Sequence, residues 1–335
     1  MSSLLPWQQS QWQRLQESRQ QGRLPHALLL TGPQGLGKGQ FATLFAQSLL
    51  CQSNNADATP CGQCRYCQLY QAGSHPDVSL ISLLEGKKAI AVDQIRTLAQ
   101  FMSLKSQYAG HKLVLINPAE AMNINSSNSL LKTLEEPSAE TILLLVTHQP
   151  AQLPATIRSR CQEVRFGMGE TSENRAWLAQ QLQDENTDID LLLSLAGGAP
   201  FRAIQLADEG LLEQRQTLFE NLDQLASLKL DPVNLASQLN KANPSWALLC
   251  LYSWTADMIR LAATDQIPAQ LSNPDLCERL IKLVNQVSLT GLFKLQDRIR
   301  QAQQEFERNL NPALIMESVL MEWQNTFRIR KRKIA

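Results

Sequence analysis

The sequence predicts an α/β domain on a mostly parallel sheet, followed by all-helical domains. Three observations carry that expectation. Short apolar runs alternate with helix-period segments through the first half, one such run leads straight into a glycine-rich turn, and strand-like runs disappear after about residue 166. At roughly 100–200 residues per domain, the length of 335 suits two or three domains. A hydrophobic fraction of 44% suffices for real cores and argues against disorder.

The elements follow in order. His26–Thr31 is an apolar strand, and the helix after the glycine turn places Phe41, Leu44, Phe45 and Leu49 on one face. Val78–Ser82 alternates like a strand, and Asp93 is expected to N-cap a helix running to about Ser103. Leu113–Ile116 is a buried strand, followed by a helix ending at Pro137, and Ile142–Val146 is the most apolar strand of all. Three domains are expected: 1–166, 167–208 with a turn at Gly197-Gly198-Ala199-Pro200, and 209–335. Pro232, Pro244, Pro268, Pro274 and Pro312 punctuate the helices of the third.

Charge narrows the function. Thirty-one Lys and Arg balance thirty-one Asp and Glu, which disfavours a free-standing nucleic-acid binder, because phosphate affinity needs surplus cations. The balance hides Arg328, Arg330, Lys331, Arg332 and Lys333, a basic tail that is either solvated or touches DNA or a partner. No run approaches the roughly 18 apolar residues of a membrane span, and the first residues lack the pattern of a secretory signal. A cytoplasmic protein is expected.

Gly32-Pro33-Gln34-Gly35-Leu36-Gly37-Lys38 follows a strand and opens a helix, the context of a phosphate loop. Its glycines turn backbone N–H groups toward a phosphate, and Lys38 reaches the β- and γ-phosphates. The rival reading is an inherited tight turn that no longer holds nucleotide. Gly39 stands where Ser or Thr would ligate Mg²⁺. At the end of the 113–116 strand, Asn117 and Pro118 stand where an Asp would hold Mg²⁺ and a Glu would orient water. Glu120 falls two residues too far along. Three chemical parts are absent together, so no ATP hydrolysis is expected, and nucleotide binding stays open.

Cys51, Cys61, Cys64 and Cys67 place four thiolates within seventeen residues. Two Cys-x2-Cys steps sharing Cys64 let one turn present three sulfurs, with Cys51 closing the site. An all-sulfur tetrahedral set favours structural Zn²⁺ and leaves no open position for catalysis. An iron–sulfur cluster and free thiols are the alternatives. No nucleophile–base pattern appears, and none of His26, His75, His111 and His148 forms an evident metal or catalytic pair. Cys250 and Cys277 are expected in the core, and Trp246, Trp254 and Trp323 suit core packing or subunit contact equally.

The phosphate loop, the four-cysteine insertion, Ser129-Leu130-Leu131-Lys132-Thr133-Leu134-Glu135-Glu136-Pro137 and Ser159-Arg160-Cys161 together resemble bacterial clamp-loader subunits. These are AAA+ (P-loop NTPase-like) proteins that open and close a ring-shaped sliding clamp around primer-template DNA. Loss of the acidic pair resembles the delta-prime kind of subunit of the DNA polymerase III holoenzyme, not the ATP-hydrolysing gamma/tau kind. The resemblance implies an AAA+ domain with an inserted zinc module, a small helical lid and a helical collar. It implies gamma/tau and delta subunits as partners, with the clamp and DNA met through the assembly. It also implies that Arg160 reaches a neighbour's γ-phosphate as an arginine finger, against the plain alternative of a surface arginine. Phe201 takes the arginine position of the family's second sensor, and Arg202 falls one residue late. Arg96 starts a helix that would face the DNA chamber, where it either touches phosphate or is simply solvated. Two rivals remain: an active AAA+ motor subunit, disfavoured at 117 and 118, and a stand-alone zinc-dependent DNA-binding module, disfavoured by the charge balance.

Overall fold

A computed structural model describes residues 3–328, apart from 54, 109, 138–140, 170, 183–186, 265–267, 269–270 and 308–309. The basic tail beyond Arg328 lies outside the described residues. The chain divides into two compact units, one running to Gln181 and including Ala199–Arg202, the other made of Leu182–Gly198 and the chain from Ala203 onward.

The first unit contains, in order, α1 (Gln9–Gln20), β1 (Ala27–Thr31), α2 (Lys38–Leu50), α3 (Arg65–Gln71), β2 (Val78–Ile81), α4 (Val92–Ser103), β3 (Lys112–Ile116), α5 (Ile124–Glu135), β4 (Thr141–Val146), α6 (Ala155–Arg158), β5 (Gln162–Arg165) and α7 (Thr171–Gln181). The strands form one parallel sheet in the order β2-β3-β4-β1-β5. This is the parallel α/β architecture expected. Because helices cover both faces, β1, β3 and β4 are buried throughout and read as continuous apolar runs. Alternate residues feed two cores. Leu28, Leu30, Leu113, Leu115, Leu144 and Val146 pack with Phe41, Phe45 and Trp12. On the other face Leu29, Val114, Ile116, Leu143 and Leu145 meet Ile95, Leu98, Leu130 and Leu134.

Two details differ from expectation. Asp93 is not the N-cap of α4. Ala91 occupies that position, and Gln94 Oε1 accepts the Ala91 N–H at 3.0 Å, which leaves Asp93 in the first turn opposite the helix dipole. Strand β5 was not foreseen. It is an edge strand in which only Val164 is buried, so its sequence Gln-Glu-Val-Arg carries little apolar signal.

The second unit contains α8 (Ile189–Leu195), most of α9 (Pro200–Asp208), α10 (Leu211–Ala226), α11 (Pro232–Lys241), α12 (Pro244–Ala263), α13 (Cys277–Val284), α14 (Leu289–Glu307) and α15 (Pro312–Arg328). Among the described residues its elements are all helical, as expected. Pro232, Pro244 and Pro274 open helical segments, where the missing N–H costs nothing. Trp246, Trp254 and Trp323 are all core residues, and Cys250 is buried beside them. The core also holds a polar network. Arg215 forks onto Asp275 at 2.6 and 3.0 Å and donates to Asn273 Oδ1 at 2.9 Å. Asp257 is fully buried and accepts from Arg260 at 2.8 Å, Ser272 N–H at 3.2 Å, and both Asn273 donors at 2.8 Å. This network fastens the segment before α13 to α10 and α12. Asp257→Ala takes the carboxylate acceptor from the buried Asn273 N–H and from the Ser272 N–H. It is expected to cost about 3 kcal/mol, read as a lower urea midpoint for unfolding of the helical unit.

Candidate functional site

Parallel pairing brings the carboxyl ends of β1, β3 and β4 to one edge of the sheet, where open α/β folds place ligands. The loop after β1 is the Gly32–Lys38 turn. Gly37 sits at φ 74° and caps α2, and Gly35 sits at φ 83°, backbone conformations suited to glycine. Lys38 is only 2% exposed, and its Nζ donates to the Gly32 and Pro33 carbonyls, each at 2.6 Å. Desolvation pulls the Lys38 ammonium down to about 8, while the charge of Glu120 pulls the other way.

The loop is pinned by its own unit. Trp7 Nε1 donates to Leu36 O at 3.1 Å, and Gln8 Nε2 donates to Leu36 O at 2.9 Å and Gly37 O at 3.1 Å. The Phe201 N–H donates to Gly35 O at 3.1 Å. A β-carbon on Gly35 would meet Arg202 N at 2.9 Å, and one on Gly37 would meet Leu5 Cδ1 at 2.6 Å and the Phe201 ring at 2.9 Å. The Phe201 ring packs on Trp177 at 5.0 Å, and Trp177 packs edge-on to Trp7 at 5.2 Å. The segment in which Phe201 replaces the expected arginine is thus laid against the phosphate loop as part of an aromatic row.

The positions that would hold Mg²⁺ are adjacent. A β-carbon on Gly39 would stand 2.9 Å from Asn117 Nδ2, so the Asn117 amide occupies the space of a Ser or Thr side chain. Glu120, set aside on spacing, lies in a short turn after β3. Its Oε1 accepts the His148 N–H at 2.9 Å, and its charge bears on Lys38. Burial lowers the His148 imidazole, and the Lys38 charge lowers it further. Glu120 and His148 carry no motif, and only the sheet brings them beside Lys38.

Cys51 ends α2, Cys64 N-caps α3 and Cys67 lies in its first turn. The four Sγ atoms all lie within 4.8 Å of one another. Cys51 and Cys64 are 4.0 Å apart at sulfur, too far for a disulfide of about 2.05 Å and within metal-binding distance. Backbone N–H groups point at the sulfurs: Cys61 N to Cys51 and Cys64 N to Cys61, each at 3.3 Å, and Cys67 N to Cys64 at 3.5 Å. At Cys64 burial pushes the thiol up, but hydrogen bonds from the Cys67 and Gln52 N–H groups and with the Cys67 and Cys61 thiols together bring it down to about 6.

Arg160 follows α6. Its side chain is 36% exposed, and its Nη2 pairs with Glu135 Oε1 at 2.7 Å. Nη1 donates to Thr156 O at 3.1 Å. Ser159 Oγ donates to the same carbonyl at 3.1 Å, and burial pushes the Cys161 thiol up to about 11 as it packs on the core. Arg96 is exposed and pairs with Asp93 at 3.3 Å.

The model of the family described as "DNA polymerase III, delta subunit" matches residues 7–169, and that described as "DNA polymerase III, delta subunit, C terminal" matches residues 209–325. A protein of Pseudomonas aeruginosa named DNA polymerase III subunit delta' is 37% identical over 326 residues, covering 96% of this chain and 98% of the relative. The chain belongs to the DNA polymerase III delta' family. The Escherichia coli subunit delta' is 31% identical over 287 residues, 86% of this chain and 84% of that one. A Bacillus subtilis protein named DNA polymerase III subunit tau is 26% identical over 333 residues, covering 92% of this chain and 58% of that protein. The first delta-family match contains the phosphate loop, all four cysteines and Arg160, and the second contains most of the helical unit.

The Lys38 environment predicts a pH signature. Its folded-state value near 8 lies below the ordinary 10.5. Between those values the unfolded chain holds a proton that the folded chain has released, so stability rises with pH across that window. Wild-type protein is expected to gain thermal stability from pH 8 toward 10.5, and Lys38→Met is expected to lose that particular gain in a melting series.

Proposed function

We propose that the chain is a non-hydrolysing subunit of the clamp-loader assembly of DNA polymerase III, which supplies Arg160 in trans to a neighbour's ATP site. The observation that carries the reading is the pairing of a disabled phosphate loop with a half-exposed guanidinium on a fixed loop. Gly39, Asn117 and Pro118 lack the hydroxyl and carboxylates that hold Mg²⁺ and orient water. The Asn117 amide fills the space beside Gly39, and Leu5, Gln8 and Phe201 crowd Gly37. Hydrolysis, if it is to happen near this chain, needs a neighbour's loop and metal. The guanidinium would stabilise charge spreading over the transferred phosphoryl oxygens, a contribution of about 10³–10⁵ in other systems.

In this reading the partners are gamma/tau-like ATPase and delta subunits. The relatives named tau and tau/gamma support a shared ancestry with such subunits. Sliding clamp and primer-template DNA are met through the assembly in the cytoplasm. Among the described residues no helix is long and apolar enough to cross a membrane. The chain is read as three parts, 1–166, 167–208 as lid and 209–335 as collar. An active motor subunit is the weaker alternative because it needs the acids missing at 117 and 118.

The four cysteines would hold a structural Zn²⁺. A tetrahedral zinc with Zn–S bonds of about 2.3 Å sets its sulfurs about 3.8 Å apart, which the 4.0 Å Cys51–Cys64 separation approaches. The ion would close the polar segment between Cys51 and Cys61 and leave no ligand position for chemistry.

Two outcomes are expected. Purified protein carries one zinc per chain by elemental analysis, and Cys64→Ser removes it and lowers the melting temperature. Arg160→Ala assembles normally, yet DNA-stimulated ATP hydrolysis by the reconstituted complex falls about tenfold or more. An unchanged rate in an assembled complex refutes the role in trans.

A further inference from the structure

The last residue of α5 is an acid at the wrong end of a helix. The unpaired carbonyls of a helix C-terminus concentrate negative potential, and a carboxylate there is ordinarily destabilising. Glu135 ends α5, with Glu136 next and Pro137 terminating the helix. A local rule broken in this way points to a compensating contact or a function. The contact is Arg160, whose Nη2 stands 2.7 Å from Glu135 Oε1.

The surroundings of the pair separate a rigid part from a mobile one. The Arg160 backbone is fixed: its N–H donates to Ile157 O at 3.1 Å, the Ser159 N–H donates to Ala155 O at 2.9 Å, and Cys161 packs on the core. The side chain is not fixed by packing, since it is 36% exposed and Glu135 is 49% exposed. A free arginine side chain carries about 2 kcal/mol of rotamer entropy, which it loses when it meets a phosphate. The Glu135 carboxylate and the Thr156 carbonyl engage two of the five guanidinium donors. Among the described residues the other three stay available for an anion.

We propose that Glu135 is a positioning residue for Arg160, holding the guanidinium over the C-terminus of α5 with its remaining donors free for the neighbour's γ-phosphate. This rests on the reading of Arg160 as acting in trans. Glu135 touches no reacting group. It acts by reducing the number of orientations the arginine must abandon, so it affects the hydrolytic step and leaves ATP binding by the neighbour alone. Because the pair is half-exposed, its effect is modest and screened by salt.

The test is a double-mutant cycle in the reconstituted clamp-loader complex, with DNA-stimulated ATPase as readout. Glu135→Gln keeps shape and removes charge, and is expected to lower kcat about two- to fivefold with KM for ATP unchanged. In the Arg160→Ala background the same substitution is expected to have no further effect. Melting of the isolated variant controls for a merely structural role, which would lower stability and act equally in both backgrounds. If Arg160→Ala itself changes nothing, the reading in trans fails. If Arg160→Ala lowers the rate while Glu135→Gln leaves it unchanged, raises it, or adds independently, Arg160 keeps its role and the positioning by Glu135 is refuted.

Discussion

The burial of β1 between β4 and β5 is the constraint on which the α/β unit depends. Leu28, Leu29 and Leu30 are each paired in register with both neighbours and covered on both faces. That parallel register sends the ends of β1, β3 and β4 to one edge, so the Gly32–Lys38 loop, Asn117 and His148 converge without being near in sequence. Had β1 paired antiparallel, the glycine loop and the strand-end residues would lie at opposite edges. The chemistry available at that edge is therefore set by a few residues whose positions the sheet dictates.

At that edge the glycine turn keeps its backbone geometry, and side chains of the same unit pack around it. The loop keeps its glycines and its lysine, but Lys38 turns onto the loop's own carbonyls. Asn117 packs where Gly39 leaves room, a small-for-large exchange that keeps the space filled without a metal ligand. Phe201 replaces an expected arginine and joins Trp177 and Trp7 against the loop. Each change on its own would be a variation. Together they surround the loop with packing contacts from Leu5, Trp7, Asn117, Trp177 and Phe201. Arg160, partly exposed and paired with Glu135 at 2.7 Å, belongs to a different loop, the one that follows α6.

Much of this was legible in the sequence. Leu28–Leu30, Leu113–Ile116 and Ile142–Val146 announce buried parallel strands because nothing but burial on both faces tolerates such runs. The Cys51, Cys61, Cys64 and Cys67 spacing announces a metal-ligating cluster because two Cys-x2-Cys steps fit one turn. Other features had no local signal. β5 has one buried residue, so its polar sequence resembles a loop. The pinning of the phosphate loop by Trp7, Gln8 and Phe201 depends on contacts far apart in the chain. Glu135 did leave a trace, an acid ahead of a proline at a helix end, but its meaning required seeing Arg160 beside it.

The account's central claim is that this chain splits no ATP of its own and lends an arginine to a site that does. ATP turnover by the isolated chain with Mg²⁺, measured beside a Lys38→Ala control, addresses the first half most directly. The account predicts a rate equal to the protein-free blank for both. Turnover above blank that disappears with Lys38 would contradict it, because a loop lacking its hydroxyl and both acids would then still be hydrolysing nucleotide.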